Sequence, residues 1–136
     1  MDSVESTMMP VPLSLNRLLE HAGRLFPQSQ VVSRLPDKSL RRHSYAEWYR
    51  RTRALASALK KLGLRKGDRV ATLCWNHHAH LEAYFGILWS GAVIVPLNTR
   101  LAPAETRFQL EDAGVTVMLF GEEFGEVAKI LKPQLP

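Results

Sequence analysis

Three short apolar runs, VATLC at 70–74, AVIVPL at 92–97 and VTVMLF at 115–120, are separated by segments of helical length, and this spacing constrains the chain more than any other feature. Runs that are apolar throughout, rather than alternating, suit strands covered on both faces. The segment before the first run carries Trp48, Tyr49, Thr52, Leu55, Ala56 and Leu59 at helical spacing, with arginines and lysines on the other side. It opens on Ser44-x-x-Glu47, whose hydroxyl and carboxylate can each satisfy an orphan backbone N–H, and closes at Gly63. From Ser44 onward the order is helix, strand, helix, strand, helix, strand, helix. Such alternation predicts an α/β fold: a parallel sheet with right-handed crossovers and helices on both faces. About three strands are fewer than the usual five or six, so the sheet reads as partial, one piece of a larger one.

Ahead of Ser44, apolar residues at helical spacing predict a helix over 14–26 that Pro27 stops, and QVVSR at 30–34 with Leu40–His43 flanks Pro36-Asp37 as a short hairpin. The start, MDSVESTMMPVPLS, has acidic residues, no arginine and no apolar core, so it is read as a flexible arm over 1–13 rather than a targeting segment. Residues 14–136 then form one domain. The uncharged stretch at 83–97 is shorter than the roughly 20 residues a spanning helix needs, and no membrane span is expected. A single cysteine, Cys74, points to a reducing compartment and hence a cytoplasmic protein. The formal charge of +5 falls mostly on the polar side of the 45–62 helix and reads as a solvated face. With no base-reading or stacking groups attached, no nucleic acid is expected.

CWNHHAHLEAYFG, residues 74–86, is the densest cluster of titratable groups. A zinc site needs three or four ligands aimed at one point, often as H-E-x-x-H, and that spacing is absent. Cys74 with His78 is the pairing that stays open. A nucleophilic Cys74 lacks an evident orienting acid or amide for a partner histidine, so it reads as a small apolar filler. Asn76 is expected to cap the following helix, with Leu81, Tyr84, Phe85 and Leu88 facing inward. Neither G-x-x-x-x-G-K-[ST] nor G-x-G-x-x-G occurs, so no phosphate loop is assigned. Ligands of open parallel sheets bind beyond the carboxyl ends of strands, which selects Trp75, Asn76 and His77 after one strand and Asn98 with Arg100 after the next. Asn98 and Arg100 serve equally well as groups that tether the loop.

GDRVA at 67–71, WN-x-x-x-HLEAYFG at 75–86 and GAVIVPLNTRL at 91–101, with Pro103 and Glu105 following, together resemble the N-terminal region of the adenylate-forming acyl-CoA synthetases, the AMP-dependent synthetase and ligase family. The resemblance runs over nearly all of 14–133, and the HLEAYFG wording is most similar to the fatty-acyl branch. It implies the incomplete N-terminal subdomain of a fatty-acid–CoA ligase, which joins a carboxylic acid to CoA through an acyl-adenylate, using ATP, Mg²⁺ and CoA in the full-length family. That family's phosphate loop, Thr-Glu motif, ribose aspartate and C-terminal lysine have no counterpart here. The resemblance therefore assigns no catalytic, cofactor-binding or metal residue to this chain. It implies a fragment that holds no cofactor and is inactive alone, or else a non-catalytic scaffold whose exposed sheet edge pairs with a partner or as a homodimer.

Overall fold

A computed structural model describes residues 11–132. Most of the arm expected over 1–13 lies outside the described residues. Among the described residues five α-helices, five strands and one 3₁₀ turn at Glu122–Phe124 occur, the helices and strands in the order α1 (Leu15–Leu25), β1 (Gln30–Arg34), β2 (Leu40–Ser44), α2 (Tyr45–Lys61), β3 (Arg69–Leu73), α3 (His78–Ser90), β4 (Val93–Pro96), α4 (Pro103–Asp112), β5 (Val117–Phe120) and α5 (Gly125–Leu131). β1 and β2 form the antiparallel hairpin, with Val31 opposite His43, and the Lys38 amide closes its turn on the Leu35 carbonyl at 2.9 Å. β3, β4 and β5 form a parallel sheet in the order β4-β3-β5.

Alternation along β3 distributes the helices. Val70 packs with Leu59 of α2 and with Ala83 and Ile87 of α3, joined by Ile94 and Val117 from the outer strands. Ala71 and Leu73 point the other way, onto Leu110 of α4, Phe124 and Leu131. Residues 70–73 are all buried, which explains why that strand reads as continuously apolar in sequence. β4 also reads as buried, yet Val93 and Pro96 are exposed and Ile94 and Val95 only half-buried. Among the described residues it is an edge strand, paired with β3 on one side alone.

The turns between helices and strands are built alike. After α3 the Gly91 amide bonds to the Leu88 carbonyl and the Ala92 amide to that of Ile87, with Gly91 at φ 93°. After α4, Gly114 and Val115 repeat the arrangement on Glu111 and Leu110. A left-handed residue lets two terminal carbonyls find donors while the next apolar residue folds back onto the helix. Each glycine thus ends a helix and aims the following strand at β3.

α2 and α3 cross closely on one face of the sheet. A Cβ built on Gly86 of α3 would come within 2.9 Å of Leu55 Cδ2, so only glycine lets the helices approach this far. Trp48 meets Phe85 edge-on at 4.9 Å and Tyr49 meets Trp89 at 6.1 Å along the same seam. Arg51 leaves the solvated face expected for it. Its guanidinium clamps Glu82 of α3 through Nε–H to Oε1 at 2.6 Å and Nη2–H to Oε2 at 3.0 Å.

Candidate functional site

The carboxyl ends of β3 and β5 open into a cleft of about 720 Å³. Its floor is the turn Trp75-Asn76-His77, one wall is the Gly121-Glu122-Glu123 turn after β5, and the other wall is the tip of the hairpin at Arg34, Leu35 and Pro36. The Gly121 amide bonds to the Leu73 carbonyl at 3.0 Å, which keeps the two strand ends in register as they leave the sheet. Trp75 is half exposed and lies against Phe124 with ring centroids 5.7 Å apart. A second opening of about 430 Å³ lies behind the turn, between Arg51, Cys74, Glu82 and Phe120.

His77, rather than Asn76, caps α3. Its backbone is extended and its Nδ1 accepts from the Ala79 amide at 3.2 Å. A ring nitrogen reaches the second residue of the helix from this position, whereas Asn76 stands one residue too early. With Nδ1 accepting, the proton of a neutral ring sits on Nε2, which lies 4.0 Å from Glu123 Oε1.

The next turn of α3 is buried. Nε2 of His80 and Thr72 Oγ1 of β3 share a hydrogen bond of 3.0 Å across the helix–sheet contact, the donor set by the ring's tautomer. Burial, and then the charge of a protonated His77, holds the His80 imidazole below its ordinary range. For His78, burial again leads, followed by the Arg41 charge, against a smaller opposing pull from Glu82. Both rings are therefore neutral at physiological pH. Leu81, Tyr84, Phe85 and Leu88, expected to face inward, are half-buried, while His78, His80, Glu82 and Ile87 lie deeper. The reason is the number of neighbours: α2, β1 and β3 all pack on α3.

Cys74 is half-buried, and burial pushes its thiol up, with the Glu123 carboxylate adding to the effect. A thiol held protonated is a poor nucleophile and a poor ligand. Among the described residues no three His, Cys, Asp or Glu side chains converge on a point that could hold a metal ion.

Of the sequence-derived candidates, Trp75, Asn76 and His77 come together in the cleft. Asn98 and Arg100 do not join them, because β4 and β5 flank β3 on opposite sides. Asn98 Oδ1 accepts from the Arg100 amide at 3.0 Å, a local turn that shapes the start of the β4–α4 loop. Sequence reasoning missed Phe120, Glu122 and Glu123, although the same strand-end rule applied to the third apolar run selects them. The partnership of Arg51 with Glu82 had no local signal, since 31 residues separate the two.

Helices on both faces of a parallel sheet, with an open cleft at the strand ends, define an α/β scaffold that offers a ligand site at its carboxyl edge. The sequence matches the family described as AMP-binding enzyme over residues 19–135, and the chain belongs to that family. It is 42% identical over 135 residues to a long-chain-fatty-acid–CoA ligase of Thermus thermophilus, covering 99% of this chain and 25% of the relative. A medium-chain-fatty-acid–CoA ligase of Ectopseudomonas oleovorans is 34% identical, over 95% of this chain and 24% of the relative. Among solved structures, a Mycobacterium tuberculosis fatty acyl CoA synthetase superposes with a TM-score of 0.77 at 32% identity, covering 86% of this chain and 23% of that one. An anthranilate CoA ligase in complex with anthranoyl-AMP superposes at 0.83 with 26% identity, over 94% and 24%. The chain thus spans about a quarter of the length of the curated relatives it matches.

Proposed function

We propose that this chain is the N-terminal portion of a fatty-acid–CoA ligase, supplying scaffold and one side of the substrate cleft to a reaction whose chemical groups lie elsewhere in the polypeptide. The observation that supports this reading is the co-linear match to fatty-acid–CoA ligases over almost the whole chain. The full reaction of such a ligase consumes a carboxylic acid, ATP and CoA, with Mg²⁺ to balance phosphate charge. The residues present here do not fit the phosphates of ATP on their own. Glu122 and Glu123 put negative charge at the end of β5, with the carboxylate of Glu123 lying against Gly121, and this charge opposes a phosphate there. No step of adenylation is therefore assigned to this chain.

Trp75, Asn76 and His77 are proposed to form the rim that contacts substrate or the adjoining part of the ligase, with Asn98 and Arg100 shaping the neighbouring loop. A chimera tests this reading: residues 11–132 replace the corresponding first quarter of the Thermus thermophilus ligase. A folded chimera is expected to form acyl-CoA from medium- or long-chain acids, and a folded chimera inert toward every such acid would refute it. The 136-residue chain alone is expected to show no acid-dependent exchange of pyrophosphate into ATP; measurable exchange would overturn that.

A second reading rests on the sheet edges. Among the described residues β4 and β5 each pair with β3 alone, so both outer edges carry unpaired backbone groups that favour strand addition. As a non-catalytic interaction module the chain would form a homodimer or a complex, and light scattering showing a stable monomer across concentrations would count against this.

A further inference from the structure

The hairpin meets α3 through a pair of buried histidines. His43, near the end of β2, is 4% exposed, and His78, the first residue of α3, is 8% exposed. Their ring centroids lie 5.5 Å apart at 73°, and His77 stacks obliquely on the far side of His78 at 5.6 Å. Neither ring nitrogen of His43, nor Nδ1 of His78, has a hydrogen-bond partner among the described residues. Phenylalanine would fill a similar volume without burying those nitrogens, so packing alone does not account for two imidazoles here. What histidine adds is a group that gains charge just below neutral pH.

The surroundings oppose that charge from nearly every side. Arg41 on β2 and His77 at the turn are of the same sign, and the positive end of α3 falls on His78 itself. Glu82, one turn along α3, pulls the other way, but both of its oxygens are held by Arg51 of α2. From β1 the adjacent wall brings Val31, Val32 and Ser33, none of which titrates, while Arg34 at the end of that strand lines the cleft with His78 and adds a further positive charge. The joint also carries the cleft, because His77 and His78 line its floor and the hairpin tip forms one wall.

We propose that the His43–His78 pair is a proton-sensitive joint: neutral, it seats the hairpin on α3, and a proton on it drives the hairpin wall away and opens the strand-end cleft. This goes beyond the ligase reading and does not depend on it. The reverse also holds. Anything that spreads the hairpin from α3 exposes His78 and makes it easier to protonate.

The test uses the full chain, with histidine ring signals and backbone amide exchange followed by NMR between about pH 7.5 and about pH 5.5. After correction for intrinsic exchange chemistry, protection of β2 and of the first turn of α3 is expected to fall about tenfold or more, while α4 and β5 stay unchanged. The double variant His43→Phe/His78→Phe is expected to lose this pH dependence. The proposal is overturned if β2 protection is constant in the wild-type chain, if His78 titrates at 6.5 or above, or if the double variant keeps the wild-type response. Should that variant fail to fold, the first two readouts decide the matter on the unaltered chain.

Discussion

Replacing Arg51 with Met separates the two sides of the α2–α3 contact by charge alone, because the methionine keeps the aliphatic stem that packs there. The ion pair is asymmetric: the side chain of Arg51 is 38% exposed, that of Glu82 only 9%. Arg51→Met leaves a carboxylate buried with neither of its two donors, and such a group costs about 2–3 kcal/mol once the partial exposure of its partner is discounted. Glu82→Gln removes the buried charge instead, and the guanidinium can swing into water, so the loss should be about 1 kcal/mol. Arg51→Met with Glu82→Leu removes both charges and should return to within about 1 kcal/mol of wild type. Urea unfolding followed by tryptophan fluorescence reads these differences, since at a slope of about 1–3 kcal/mol/M the Arg51→Met midpoint should drop by about 0.7–3 M. A Glu82→Gln loss equal to that of Arg51→Met, or an Arg51→Met shift below about 0.3 M, would show that the contact is a solvated pair of little consequence.

Gly86→Ala should destabilise by about 1 kcal/mol in the same assay, because the clash of its Cβ with Leu55 at 2.9–3.1 Å outweighs the gain in helix propensity. Ser44→Ala should cost about 1 kcal/mol through loss of the hydroxyl that accepts from the Glu47 amide at 3.2 Å; an unchanged midpoint would show that the cap contributes nothing. Cys74 should react with a thiol reagent several-fold more slowly than free cysteine near neutral pH, as burial disfavours its thiolate, and equal rates would contradict that account. Because burial lowers the His78 value, the unfolded chain takes up protons first. Stability from this residue is therefore full above about pH 6.5 and declines as pH falls below it, a trend that urea midpoints measured at several pH values would reveal or refute.

The sequence by itself determined the elements and their order. Apolar periodicity, the Ser44 cap, Pro27, Gly63, Gly91 and Gly114 act within a few residues of where they stand, so helices, turns and the parallel alternation were legible without coordinates. It also located the strand-end turn at Trp75–His77, because crossover topology places such turns at the carboxyl edge of a sheet. Tertiary structure alone decided the strand order β4-β3-β5, and with it the separation of Asn98 and Arg100 from that turn and the pairing of Trp75 with the end of β5. It alone decided that Arg51 is clamped by Glu82 and that His43 lies against His78, contacts that join residues 31 and 35 positions apart. The physical reason is the range of the forces involved. Backbone propensity and capping are settled over one or two turns of chain, whereas burial and charge pairing depend on which surfaces the completed fold presses together.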